Sequence, residues 1–245
     1  MGAAFGWGLL SASSLVIGSV IALLIRIPLR VIGLIMGFGA GVLISAVAFD
    51  LVDEAAAKST GNGALIAGLF AGCLVFFVGD RLIDRLGGGD RKDPTGAEEE
   101  GGGSPLSIVL GTVLDGIPES MVIGLMIFEG GAVGAAYLAA VFISNLPESI
   151  SSTSGLLESG WVKSRILWMW IGIAVVSALA SLAGYGLFQD SSPGVVAFVL
   201  TFAAGAILTM LANTMMPEAF EHGGKWVGIM VTLGFAVAFT IHLLD

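Results

Sequence analysis

The stretch Leu114-Asp115-Gly116-Ile117-Pro118-Glu119-Ser120 sets two carboxylates and a proline inside the apolar run 106–128. A charged side chain at bilayer mid-depth costs about 2.5–3.5 kcal/mol on insertion scales, so such a group is expected to be protonated, paired or bound to an ion. The pattern returns in the next apolar run as Ser144-Asn145-Leu146-Pro147-Glu148-Ser149. A third Pro-Glu pair closes a later run, in Leu211-Ala212-Asn213-Thr214-Met215-Met216-Pro217-Glu218-Ala219-Phe220-Glu221-His222. Proline lacks an N–H, so Pro118 and Pro147 are expected to free the carbonyls of Leu114 and Ile143, and freed carbonyls at depth are tolerated where they line a cavity or hold an ion.

Outward from these motifs the chain is a polytopic membrane protein. Of its 245 residues 56% are hydrophobic and 12% charged, with a mean hydropathy of +0.97, whereas soluble domains carry about 25% charged residues. A β-barrel would alternate polar and apolar residues, and no such alternation is present. The expected fold class is all-α, one transmembrane domain of eight helices near 5–25, 31–52, 63–83, 106–128, 131–155, 166–188, 194–217 and 225–244, each long enough to span. The segment 87–104, GGGDRKDPTGAEEEGGGS, reads as a flexible hydrophilic loop. No Lys or Arg precedes the first span, so it reads as a permanent helix rather than a cleaved leader.

Lys and Arg favour the cytoplasmic side of short loops. With the N-terminus outside, Arg26, Arg30, Arg81, Arg85, Arg91, Lys92, Lys163, Arg165 and Lys225 all lie inside and Lys58 alone outside. Both termini are then extracytoplasmic, the 87–104 loop is cytoplasmic, and the expected location is the cell membrane. Gly33, Gly37 and Gly41 form a face suited to close helix packing, and glycine-rich faces of this kind permit a homodimer. The lone Cys73 excludes a cysteine-based metal site, and no basic patch suits nucleic acid.

Asp115 and Glu119 stand at i and i+4 on one helical face; Ser144 and Asn145 precede Glu148 by four and three residues in a helix of opposite direction. Oxygen donors therefore converge at mid-depth, and all-oxygen ligation suits harder cations such as Mn²⁺ or Mg²⁺. Asn213 is expected on the pathway, Asp50 and Asp53 at its entrance beside Glu54, and Glu218, Glu221 and His222 near its exit. His242 receives no role.

These features together resemble the ZIP (Zrt/Irt-like) family of divalent metal transporters, in particular its bacterial GufA-like branch. The resemblance covers essentially the whole chain and is carried most specifically by SNLPES, ANTMMPEAFE and the variant LDGIPES. It implies a mid-membrane site of one or two metal ions with ligand roles for Asp115, Glu119, Ser144, Asn145 and Glu148, Glu148 as the bridge and Glu218 added from the seventh helix. It also implies elevator-like movement of one helix bundle against another. The chain departs from the family pattern where Asp115 replaces the usual histidine, Gly116 an asparagine, Ser144 a His or Gln, and Ser120 and Ser149 the motif glycines. The 87–104 loop lacks the family's histidines and offers Asp90, Asp93 and Glu98 to Glu100. The expected partners are the bilayer and a transported divalent ion, Zn, Mn, Fe, Cd or Mg, with no other cofactor and no catalytic residue. Two rivals stand beside this reading. One is a membrane protein that binds metal without moving it; the other is an enzyme built on an intramembrane carboxylate dyad sharing a proton, in which paired Pro-Glu kinks have no use.

Overall fold

The computed structural model describes residues 1–59, 61–85, 105–128, 135–189 and 191–244, and their regular structure is entirely helical. The helices are α1 (Gly2–Leu24), α2 (Leu29–Ser45), α3 (Glu54–Lys58), α4 (Asn62–Arg85), α5 (Pro105–Phe128), α6 (Ala135–Glu158), α7 (Lys163–Leu187), α8 (Pro193–Met210), α9 (Met216–Gly223) and α10 (Val227–His242). π-Helical turns join α2 to α3 (Ala46–Asp53) and α8 to α9 (Leu211–Met215). The expected loop 87–104 lies outside the described residues.

Helix ends follow local chemistry. Pro193 opens α8, where its missing N–H is an orphan in any case. Gly160, at φ 79°, closes α6, with Trp161 N–H donating to Leu156 O and Gly160 N–H to Leu157 O, both at 3.0 Å. That pair of bonds is a Schellman cap, which calls for a residue without a Cβ penalty at positive φ.

Two bundles result. α1, α5, α6 and α7 pack mainly on one another; on the other side α2 packs on α9 and α10, and α4 on α8, the two groups being joined through α3 and the π-turns. Across the divide α2 meets α6, and α5 meets α8. The glycine face of α2 is used as its spacing predicts: Gly33 lies against Gly223, Gly37 against Val227 and Gly41 against the Val231 carbonyl, so α2 and α10 run parallel in close contact. Gly68 and Gly72 likewise seat α4 alongside Phe198 and Phe202 of α8. In the other bundle a small core of Leu15, Leu156, Ile166 and Trp170 is pinned by Trp170 Nε1–H donating to Thr153 Oγ1 at 2.9 Å. Large apolar side chains cover the outside, among them Phe70, Leu74 and Val78 on α4, Trp168 and Leu179 on α7, and Ile229 and Leu233 on α10.

Among the described residues six stretches are long and apolar enough to cross a membrane: Gly2–Leu24, Leu29–Lys58, Gly63–Arg85, Val109–Ile127, Lys163–Leu187 and Pro193–Leu244. The chain is therefore multi-pass, but the expected eight spans are not matched one for one. The reasons are local. α6 carries Ser144, Asn145, Glu148 and the run Ser151-Ser152-Thr153-Ser154, which lowers its hydropathy. The last two expected spans form one unbroken stretch of 52 residues, which turns at Gly224, φ 60°.

Candidate metal site

The α5 and α6 motifs are held from several sides. Leu114 packs against Gly79 of α4, and Gly116 faces Ser177 of α7. On α6, Leu146 and Ser149 lie against Gly18 of α1, while Gly39 of α2 is close enough to Ser144 and Pro147 that an added Cβ would stand 3.0 Å from Pro147 Cγ. The glycines let backbones approach the two motifs closely, leaving the motifs' polar side chains inside the protein. Asp115 is 4% exposed, Glu119 3%, Ser144 1%, Asn145 8% and Glu148 5%. Burial of this depth is sustained only by protonation, pairing or an ion.

Neither proline breaks its helix: α5 and α6 run through Pro118 and Pro147 without interruption. The expected irregular backbone occurs instead in the π-turns of the other bundle. One of them, Leu211–Met215, lies just before Pro217, whose missing N–H leaves the Asn213 carbonyl without its helical donor. π-Turns inside helices are rare and often mark functional positions. α5 and α6 touch each other little. Tyr137, fully buried at the start of α6, connects them by donating its hydroxyl to Glu119 O at 3.5 Å. Among the described residues no three His, Cys, Asp or Glu side chains gather as a metal-holding group. An amide and a hydroxyl, from Asn145 and Ser144, are the further buried donors on α6.

The remaining residues singled out in the sequence fall at helix ends. Asn213 is exposed and lines a cleft with Phe77, Asp80, Arg81, Asp84 and Ala212, rather than standing among the buried donors. Glu218 and His222 form one partly buried pair, Oε2 to Nε2 at 3.8 Å, and Glu221 is exposed. Asp53 is exposed, and Glu54 pairs with Lys58 at 3.0 Å. Asp50, on the π-turn after α2, is 2.7 Å from Nδ1 of His242 at the end of α10. Sequence reasoning missed this partner, because nothing local links residues 192 apart; the parallel α2–α10 glycine face was the one available signal.

No family model matches the chain. A protein of Arabidopsis thaliana that carries the name putative zinc transporter is 26% identical to it over 193 residues, 77% of this chain and 30% of that protein. The chain thus spans about 30% of the length of the curated relative it matches.

Proposed function

We propose that this chain is a divalent-metal transporter of the ZIP type, of the GufA-like kind, carrying ions toward the cytoplasm. The observation that carries the reading is the burial of three carboxylates, Asp115 and Glu119 on α5 and Glu148 on α6, the last with Asn145 and Ser144 on the same helix. A divalent ion neutralises most of that charge and becomes the largest local charge itself. The name of the Arabidopsis relative supports zinc. The oxygen-only donor set of α5 and α6 adds Mn²⁺, Fe²⁺, Cd²⁺ and Mg²⁺ as candidates.

In this reading the chain crosses the bilayer eight times, with α6 a polar span and α8–α9 and α10 two passes turned at Gly224. The parallel packing of α2 with α10 and of α4 with α8 agrees with strict alternation of direction. Both termini are extracytoplasmic in the cell membrane. Asp115, Glu119, Ser144, Asn145 and Glu148 hold the ion, Glu148 as a bridge when two are bound. Glu218 and His222, with Asn213 and Glu221 nearby, receive it on the inner side. The partition into two bundles supports elevator-like transport, since the five residues proposed to hold the ion all lie on the α1–α5–α6–α7 bundle.

Uptake of Zn²⁺, Mn²⁺, Fe²⁺, Cd²⁺ and Mg²⁺ into proteoliposomes tests the proposal. Saturable flux of at least one metal is expected. Folded protein that binds these metals and moves none would replace transport with binding alone.

A further inference from the structure

At the end of the molecule opposite the Glu218–His222 pair, His242 is built into its place. Its ring packs against Phe49, with centroids 5.5 Å apart, and Phe49 is in turn flanked by Phe235 and Phe239. Nδ1 stands 2.7 Å from Asp50 Oδ1. A carboxylate only accepts hydrogen bonds, so Nδ1–H is the donor, and in the neutral imidazole Nε2 keeps its lone pair. The side chain is one-third exposed, whereas that of Asp50 is 12% exposed. A carboxylate that fixes the tautomer and orientation of a histidine is the arrangement that raises the ligand strength of its other nitrogen.

We propose that His242 Nε2 is a metal ligand at the outer mouth, capturing a partly hydrated divalent ion of borderline softness, with Asp50 as its positioning residue. The inference deepens the transport reading and rests on it for the identity of the ion. Imidazole suits Zn²⁺ and Fe²⁺ better than Mg²⁺, so this mouth selects where the oxygen-only donors on α5 and α6 do not. Exposed Asp53 adds negative charge at the same helix end, which raises the local cation concentration.

The chain has two histidines, and peptide mapping after treatment with a histidine-modifying reagent such as diethyl pyrocarbonate reports on His242 separately from His222. Its modification is followed by mass spectrometry in proteoliposomes with added Zn²⁺ or Mg²⁺. Zn²⁺ is expected to protect His242 and Mg²⁺ not. Asp50→Asn, which keeps the shape of the side chain, should raise the Zn²⁺ concentration for half-protection about tenfold, the lower end for loss of an outer-shell partner. Glu148→Ala should lose flux yet keep the protection. Modification indifferent to Zn²⁺ in vesicles that still take up metal would overturn the capture site and leave the transport reading standing. Protection that vanishes with Glu148→Ala would also overturn it, because the metal would then be acting from α6. Protection in a protein that moves no metal would uphold the site while the transport reading falls.

Discussion

The two bundles differ in where they keep their ionisable groups. The α1–α5–α6–α7 bundle buries Asp115, Glu119 and Glu148 within long helices and surrounds the α6 motif with Ser149, Ser151, Ser152 and Thr153, all buried. The α2–α4–α8–α9–α10 bundle buries one carboxylate, Asp80 in the last turns of α4, and holds its pairs near helix ends, Asp50 with His242 and Glu218 with His222. The backbone differs in the opposite sense: the charged helices are regular despite their prolines, and the π-turns belong to the apolar bundle. Buried carboxylates of α5 and α6 thus coincide with regular helices, while irregular backbone sits beside the Asp50–His242 and Glu218–His222 pairs. A bundle that carries an ion and a frame that admits and releases it would divide the work in this way.

Glycine substitutions probe the frame with the largest expected effect. Gly41→Ala would drive a Cβ into the Val231 carbonyl of α10, costing about 3 kcal/mol as overpacking and lowering the yield of monodisperse protein in detergent. Gly172→Ala on α7 meets nothing within 4 Å, so it should be neutral, or stabilising by up to about 1 kcal/mol through helix propensity. Equal sensitivity at both positions would erase the contrast in packing.

Glu218→Gln removes the carboxylate facing His222 on α9. We expect uptake to fall about tenfold, equivalent to 1.4 kcal/mol, with folded yield preserved, as measured by initial rates in vesicles. Trp170→Phe deletes the buried bond to Thr153. Bonds between membrane helices average about 0.6 kcal/mol and reach about 1.7, so thermal unfolding in detergent should register a loss in that range and transport should continue. The smallest effect belongs to Lys58→Ala, which breaks the half-exposed pair with Glu54; stability should change by at most about 0.5 kcal/mol.

Much of this division was legible in the sequence, because buried acids in apolar runs are costly and therefore conspicuous. The α5 and α6 motifs fall inside the helices expected for them, and the Gly33-Gly37-Gly41 face does the packing its spacing implies. Helix ends shifted by a few residues, as where α6 extends to Glu158 rather than ending at 155; its expected start at 131 lies outside the described residues. Four features were not legible. Hydropathy cannot locate a π-turn, which changes hydrogen-bond register without changing composition. It also credits a span by apolar content alone, so the eight expected spans are not matched one for one by the serine-rich α6 and the continuous stretch from Pro193 to Leu244. Nor does it tell which side of a helix faces inward: Asn213, expected on the pathway, is exposed and opens onto the cleft beside Asp80 and Asp84. The Asp50–His242 contact depends on tertiary packing throughout.

The most direct test of the division is zinc flux into proteoliposomes measured for the native chain, Glu148→Gln and Asn213→Ala, at equal amounts of folded protein. The account predicts that Glu148→Gln reduces flux at least about a hundredfold, which corresponds to about 2.8 kcal/mol, whereas Asn213→Ala retains most of it. Flux that survives Glu148→Gln undiminished would contradict the account, since the ion would then cross without the buried carboxylate on which the reading depends.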